Sequence, residues 1–321
     1  MTNKTKVLIP ILGILLIIGY VALFTEWIDD SRTSSATEAG AAVQTAEKFV
    51  GGTFEASGVA RVAGTDGFLF VDDGRTTEVL WIQLDGNGKQ AGSIIPVKTG
   101  TDINDPEGIT TDGSYFYVVG SQSKSKGSDQ AGLARFRFNK ETRSAEEVQT
   151  VSEVRRFLIE NLKELRSFES RKAKDDGINI EGLAWDPIRK LLLLGFRSPI
   201  IDGKALLVPL TMRDPLGPFS IDNLEAGKAE AILLPLGGMG IRSIEYDERQ
   251  GLFHIIGGAT KSQDKTDFKL WEWTGQADGS GLRETTAFDR KLQPEGVTSG
   301  SVGDTSFRLI VFDSSRYLKM Q

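Results

Sequence analysis

The stretch Asn179-Ile180-Glu181-Gly182-Leu183-Ala184-Trp185-Asp186-Pro187, with the run after it that ends in Gly195-Phe196-Arg197-Ser198-Pro199, sets a pattern that the rest of the chain repeats. Its kernel is a polar residue, a spacer, a carboxylate, a small residue and a branched apolar residue. Asp105-Pro106-Glu107-Gly108-Ile109 and Gln293-Pro294-Glu295-Gly296-Val297 are close copies. Gly240-Ile241-Arg242-Ser243-Ile244 carries Arg in the Glu slot, and Glu55-Ala56-Ser57-Gly58-Val59 carries Ser there.

After each kernel, short apolar runs alternate with Gly, Asp and Asn turns, the signature of consecutive strands joined by tight connections. The kernels recur about every 50 to 60 residues, the period of propeller blades rather than of helical solenoids. One interval, from Glu107 to Glu181, is longer. Within it Val154, Phe157, Leu158, Leu162, Leu165 and Phe168 share one face of a helix running from Val154 to about Lys172, so an amphipathic helix is inserted at about 153–175. The last unit lacks an outer strand, and Thr45 to Gly51 is placed to supply it and close the ring, which removes exposed sheet edges. The expected fold is therefore all-β, a single propeller over residues 49–321, with five blades and six as the alternative count.

In such a ring the first strand of each blade lines the central channel, and the second returns antiparallel beside it. Glu55, Asp105, Glu107, Glu181, Arg242 and Glu295 then converge on one rim, and the ends of the second strands bring Asp72, Ser121, Arg197 and Asp313 there. Carboxylates and guanidinium groups gathered this way must pair with each other, with a metal or with a ligand. A structural account stands beside the functional one: Glu can lock neighbouring blades, and Arg242 can neutralise the carboxylates. Trp81, Trp185, Trp271 and Trp273 fall on strands and read as core between blades.

A chain of 321 residues, 39% hydrophobic, is long enough for one large core once its first segment is set aside. The absence of cysteine excludes disulfides, thiolate metal sites and cysteine nucleophiles. With one histidine, His254 inside Leu252-Phe253-His254-Ile255-Ile256, a multi-histidine zinc site is excluded too, and the residue reads as a half-buried strand position. A net charge of −6 without a concentrated basic face argues against nucleic acid as partner.

From Val7 to Phe24 the chain is apolar and uncharged, about 18 residues or roughly 27 Å as a helix, enough to cross a bilayer core. Lys4 and Lys6 precede it and Glu26, Asp29 and Asp30 follow, so residues 1–28 read as a cytoplasmic stub with a single-pass transmembrane anchor. The propeller then lies outside the cytoplasm, periplasmic or on the cell exterior. A cleaved signal peptide is the alternative, but Phe24-Thr25-Glu26-Trp27 occupies the place of a small-residue cleavage site. Residues 29–48 read as a polar linker.

The set Asn179-Ile180-Glu181-Gly182-Leu183, Gly195-Phe196-Arg197-Ser198-Pro199 followed by Ala205 to Leu210, Gly240-Ile241-Arg242-Ser243-Ile244-Glu245 and Pro294-Glu295-Gly296-Val297 resembles a bacterial family of propeller proteins known only as a domain of unknown function. The likeness covers about residues 50 to 321. More remotely, Asp-x-Glu-Gly is similar to the esterase-like phytase propellers, whose acidic channel mouths are associated with calcium. This chain departs from a purely acidic ring at Ser57 and Arg242.

Three functions fit these residues. The first is a binding module holding a small polar or anionic ligand, or Ca²⁺, at the channel mouth: hard oxygen donors suit Ca²⁺, with Glu107, Glu181 and Glu295 as its ligands, and Arg197 and Arg242 suit a carboxylate or phosphate. Glu55, Asp105, Ser121 and Asp313 complete that candidate set. The second is a calcium-assisted phosphoesterase or esterase-like hydrolase, for which the sequence names no nucleophile. The third is a scaffold whose outer surfaces or inserted helix bind a protein partner.

Overall fold

The computed structural model describes residues 45–123, 130–227, 230–261, 264–302 and 305–321. The expected anchor and most of the expected linker lie outside these residues. Among the described residues no helix is long and apolar enough to cross a membrane.

The element order is β1 (Glu47–Lys48), then four blades in succession and a fifth that closes the ring. Blade 1 holds β2 (Ala56–Arg61), β3 (Gly67–Asp72), β4 (Glu78–Gln83) and β5 (Ile95–Lys98). Blade 2 holds β6 (Pro106–Thr111), β7 (Phe116–Gly120), β8 (Leu133–Asn139) and β9 (Ser144–Val151). Between blades 2 and 3 lies α1 (Val154–Asn161) with two 3₁₀ turns, Lys163–Phe168 and Ala173–Asp175. Blade 3 holds β10 (Asn179–Asp186), β11 (Leu191–Ile201) and β12 (Lys204–Met212). Its outer position is divided between β13 (Leu224–Ala226) and β14 (Ile232–Leu234), both paired with β12. Blade 4 holds β15 (Gly240–Asp247), β16 (Leu252–Gly258), β17 (Phe268–Trp273) and β18 (Leu282–Phe288), and blade 5 holds β19 (Pro294–Val302), β20 (Thr305–Phe312) and β21 (Arg316–Met320).

Five sheets, not six, make the ring. The expected closure is present: β1 adds to β21 with Glu47 opposite Tyr317 and Lys48 opposite Arg316. Phe49 secures it, donating its N–H to the Ser315 carbonyl at 3.2 Å and stacking on Tyr317 at 5.3 Å and Phe70 at 5.2 Å.

Both faces of each blade are buried, which is why the second strands read as continuous apolar runs rather than alternating ones. Period-two alternation then sorts each strand's side chains between two neighbours. In β3, Phe68 and Phe70 pack toward blade 5, while Leu69 and Val71 pack toward blade 2. In β11, Leu192, Leu194 and Phe196 face blade 2, and Leu191 and Leu193 face blade 4. The result is five apolar clusters, one in each gap between blades. Trp81 and Trp273 are buried in them, and Trp185 and Trp271 pack against them.

The inserted helix is shorter than its apolar pattern suggests. It ends at Asn161, with Leu162 extended (φ −119°, ψ 113°), and continues as a 3₁₀ turn. Val154, Leu158, Leu162 and Leu165 nevertheless reach one cluster shared by blades 2 and 3. Breaking the helix lets the segment follow the curved gap while keeping its apolar side inward. His254 also differs from expectation, being fully buried rather than half-buried.

Candidate functional site at the channel mouth

The five kernels sit at five equivalent irregularities. In each blade the ladder between first and second strand loses register at the kernel: between Ala56 and Val59, Pro106 and Gly108, Ile180 and Gly182, Ile241 and Ser243, and Pro294 and Gly296. Glu107, Glu181, Arg242 and Glu295 are the residues skipped in blades 2 to 5, and Ser57 with Gly58 in blade 1. A bulge of this kind frees one residue from ladder pairing and re-aims its side chain, and Ser57 and the other four all line a cavity of about 500 Å³ at the mouth.

The small residue after each kernel lets the next blade approach. A Cβ on Gly58 would lie 2.7 Å from the Ile109 nitrogen, one on Gly108 2.8 Å from Leu183 Cβ, and one on Gly296 2.4 Å from the Ser57 carbonyl oxygen. Blade 4 has Ser243 instead, and its Oγ accepts the Val297 N–H at 3.1 Å. Packing between blades thus fixes this position, as the sequence pattern suggested.

Three kernel groups and Arg197 form one buried network. Arg242 donates Nε to Glu295 Oε2 at 2.6 Å and Nη2 to Glu295 Oε1, a two-point clasp across blades 4 and 5. Its Nε also lies 2.9 Å from Glu181 Oε2, which keeps no hydrogen bond because the single Nε proton is already given to Glu295. Arg197 Nη1 donates to Glu181 Oε1 at 2.9 Å, Asn179 Nδ2 donates to the same oxygen at 3.1 Å, and Arg197 Nε donates to the Ala259 carbonyl at 3.1 Å. Desolvation works against the Arg242 charge, but Glu181 and Glu295 more than offset it and hold its pKa above the ordinary arginine value. Burial raises Glu295 to about 7 against the pull of Arg242.

The flank formed by blades 1, 2 and 5 is different. Glu107, half-buried, makes no hydrogen bond or ion pair among the described residues. Burial, then the Glu181, Asp105 and Glu295 charges, push its carboxyl well above the usual range. Asp73 has a buried Oδ1 without a hydrogen bond. Burial and the neighbouring carboxylates of Glu55, Asp105 and Asp313 push it up to about 7. Asp313 is raised as well, by burial first and by Glu55. Glu55, Asp72 and Asp73 each offer a carboxylate oxygen within 4.8 Å of the others. Hard oxygen donors at that spacing could hold a metal ion, with Asp72 already accepting the Glu55 and Gly74 N–H groups and lying 3.5 Å from Arg75 Nε.

Opposite them, blade 4 and its exit loop place Lys261, Lys265, Arg290 and Lys291 around the cavity. Lys261 pairs with Asp176 at 2.8 Å.

Most of the residues singled out from sequence do meet here, though in different company. Glu107, Glu181, Arg197, Arg242, Glu295 and Asp313 line the cavity, with Glu55 and Asp105 close enough to act on Asp73. Ser121 does not join them. Its N–H goes to the Asp105 carbonyl at 2.9 Å and its carbonyl accepts from Ile180 at 2.8 Å, so it is a buried backbone link between blades 2 and 3. Glu107, Glu181 and Glu295 are not the carboxyl trio the fold brings together, because guanidinium groups occupy Glu181 and Glu295. Sequence reasoning missed Asp73, although the run Asp72-Asp73-Gly74 at a strand end was a signal for it. It also missed the lysines and arginines of blade 4, which lie in loops without repeat character.

The other end of the channel is built from the same inner strands. A cavity of about 190 Å³ there is lined by Arg61, Thr110, Trp185, Glu245 and Ser299, among others. Thr110 Oγ1 accepts the Trp185 N–H at 3.1 Å, and at the equivalent position Glu245 Oε1 accepts the Ser299 N–H at 2.8 Å. Burial pushes Glu245 up to about 8 despite these donors. Asp186 and Asp247 cap the turns at this end through backbone N–H groups, and His254 Nε2 lies 3.5 Å from Asp247 Oδ2.

Comparison with solved structures returns similar folds at low identity. A glucose dehydrogenase is 12% identical with a TM-score of 0.47, covering 86% of this chain and 99% of the other. The soluble aldose sugar dehydrogenase of Escherichia coli is 11% identical with a TM-score of 0.44, at 86% and 98% coverage. Sqt1 of Saccharomyces cerevisiae is 8% identical with a TM-score of 0.40, again at 86% and 98% coverage. No curated protein matches the sequence. A family model does match residues 125–314, more than half of the chain, and the protein belongs to that family, described as "Protein of unknown function (DUF3616)".

Proposed function

We propose that the propeller is a binding module whose channel mouth takes a small anionic ligand together with a Ca²⁺ ion. The observation that carries this reading is the separation of uncompensated charge across one cavity. Carboxylates short of counter-charge stand on the blade 1, 2 and 5 side, and Lys265, Arg290 and Lys291, which outnumber the one acid beside them, Asp264, stand on the blade 4 side. Between them, Arg242 and Arg197 are already engaged by Glu181 and Glu295. Glu55, Asp72 and Asp73 would hold the ion, whose charge would offset the burial and carboxylate crowding that raise the Asp73 pKa. A bound Ca²⁺ supplies positive charge next to the anion, and the basic loops meet its far side.

The test is calorimetry on the full-length chain with CaCl₂ alone, inorganic phosphate alone, and both. Ca²⁺ binding is expected to weaken about tenfold or more in Asp73→Asn, and phosphate binding to strengthen with Ca²⁺ and fall in Lys265→Glu. No heat with either probe, or binding that ignores both substitutions, removes the proposal.

A second reading, the calcium-assisted hydrolase, is favoured by Glu107. A carboxyl whose hold on its proton is strengthened by burial and by the Glu181, Asp105 and Glu295 charges can give that proton to a leaving-group oxygen. Turnover on a panel of phosphoesters and carboxylesters, lost in Glu107→Gln, would select it; no turnover with Ca²⁺ present would leave binding alone.

We further propose that the chain is tethered through residues 7–24 with the propeller outside the cytoplasm, supported by the Lys4 and Lys6 against Glu26, Asp29 and Asp30 asymmetry. External protease should cleave the propeller in intact spheroplasts, and full protection would overturn this orientation.

A further inference from the structure

Leu216 is 97% exposed on a loop that is otherwise held still. Buried Asn223 clamps the loop: its Oδ1 accepts the Asp214 N–H at 2.9 Å, and its Nδ2 donates to the Asp214 and Pro218 carbonyls, each at 2.9 Å. Asp214 Oδ1 in turn accepts the Leu216 N–H at 3.0 Å, and Pro215 and Pro218 fix φ on either side. The backbone order is spent on presenting a large aliphatic side chain to water. Ile188, 75% exposed, is presented in the same way by the turn that Asp186 caps.

Each of these two side chains stands outside one cavity but close in sequence to residues that line it. The residues beside Leu216, Pro215 and Phe219, and those beyond Ile188, Lys190 and Leu191, line a single cavity of about 290 Å³ between blades 2 and 3. Its aromatic members are fixed by stacking: Tyr117 lies parallel to Trp185 at 6.4 Å, and Arg135 sits between the rings of Tyr115 at 4.7 Å and Phe219 at 4.9 Å. Gln149, a neutral group, takes the Arg135 Nε and Nη2 protons. Lys190 is exposed and has no ion pair among the described residues. Arg137 is paired with Glu147, and Asp112 spends its carboxylate on the Tyr117 hydroxyl and two backbone N–H groups. The groove is therefore net positive on a chain of net charge −6.

We propose that this groove is the docking site for an acidic linear segment of a partner protein. Its aliphatic side chains cover Leu216 and Ile188, and a carboxylate meets Lys190 and the Arg135 side of the cavity. Exposed aliphatic side chains flanking an aromatic groove mark an interaction surface rather than a solvated one, and rigid presentation lowers the entropy lost on association. A small ligand contained in the cavity would leave both aliphatic side chains uncovered. A bilayer surface would not enter the concave part.

The experiment selects from random peptides displayed on phage against the full-length chain, then measures the enriched peptide by fluorescence anisotropy. Enrichment should yield sequences with an acidic residue next to aliphatic ones, and replacing the acid by its amide should weaken binding. Leu216→Ser and Lys190→Glu, both at exposed positions, should each weaken it about tenfold or more without moving the unfolding temperature. Enriched peptides without acids, or affinities unchanged in both variants, overturn the proposal. So does dimerisation that Leu216→Ser abolishes, which assigns the groove to a second copy, or Leu216-dependent binding to phosphatidylserine vesicles, which assigns it to a membrane.

Discussion

At the mouth of the channel the five inner strands lose their register, whereas at the opposite end the same strands pair regularly and clasp one another. The mouth gathers Glu107, Glu181, Arg242 and Glu295 because a bulge releases each from its ladder. At the far end Thr110 and Glu245 accept N–H bonds from Trp185 and Ser299, and their polarity is used up in holding blades together. Two ends of one set of strands can therefore differ in role through register alone. Irregular pairing turns charge into the channel mouth, and regular pairing turns polar groups onto the neighbouring blade.

The largest effect that would sharpen this contrast is expected from Arg242. Replacing it with Met leaves buried Glu295 without the guanidinium that clasps it and Glu181 with Arg197 alone, and should cost about 3–5 kcal/mol in urea unfolding, the usual loss when one partner of a buried ion pair is removed. Adding Glu295→Leu to that variant should restore part of the loss. A small effect of the first substitution would mean that the mouth charges are already compensated by water and that the network is not buried in the sense described. Next is Gly296→Ala, whose Cβ would lie 2.4 Å from the Ser57 carbonyl oxygen. Overpacking of this kind should cost about 1–3 kcal/mol, and a neutral result would show that the ring can expand at blade 5.

The smallest effect concerns pH at the far end. Burial raises the folded pKa of Glu245 from the ordinary glutamate value to about 8. Between those values the folded state keeps a proton that the unfolded chain has lost, so Glu245 makes stability fall as pH rises through this window. Below the lower value its effect on the slope vanishes. Glu245→Gln should flatten part of the fall in unfolding free energy measured from about pH 5 to 8. An unchanged slope would assign the pH dependence to the mouth acids instead, since Asp73 and Glu295, each raised to about 7, act with the same sign.

Much of the architecture was legible because repetition is a property of the chain itself. The kernel spacing, the apolar second strands and the missing outer strand of the last unit led to a ring closed by residues near Thr45, and β1 pairs with β21 as that reading requires. The short β13 escaped notice because Leu224-Glu225-Ala226 has neither the length nor the alternation of a strand; its place is fixed by pairing with β12. The candidate site was legible as a list of residues but not as a set of partners. Glu107, Glu181 and Glu295 occupy identical slots in the repeat, yet Glu181 and Glu295 are held by guanidinium groups and Glu107 is not.

The sequence by itself determined the order of the strands apart from β13, most of the core assignments within them and the convergence of the kernels on one rim, since all three follow from periodicity along the chain. Only the tertiary structure decided which carboxylate meets which arginine, that Ser121 serves the backbone, that Asp73 stands with Glu55 and Asp72, and that Leu216 is displayed beside an aromatic groove. The physical reason is that pairing between side chains is set by distances across the gap between blades. Those distances depend on bulges and loop paths that no local pattern encodes.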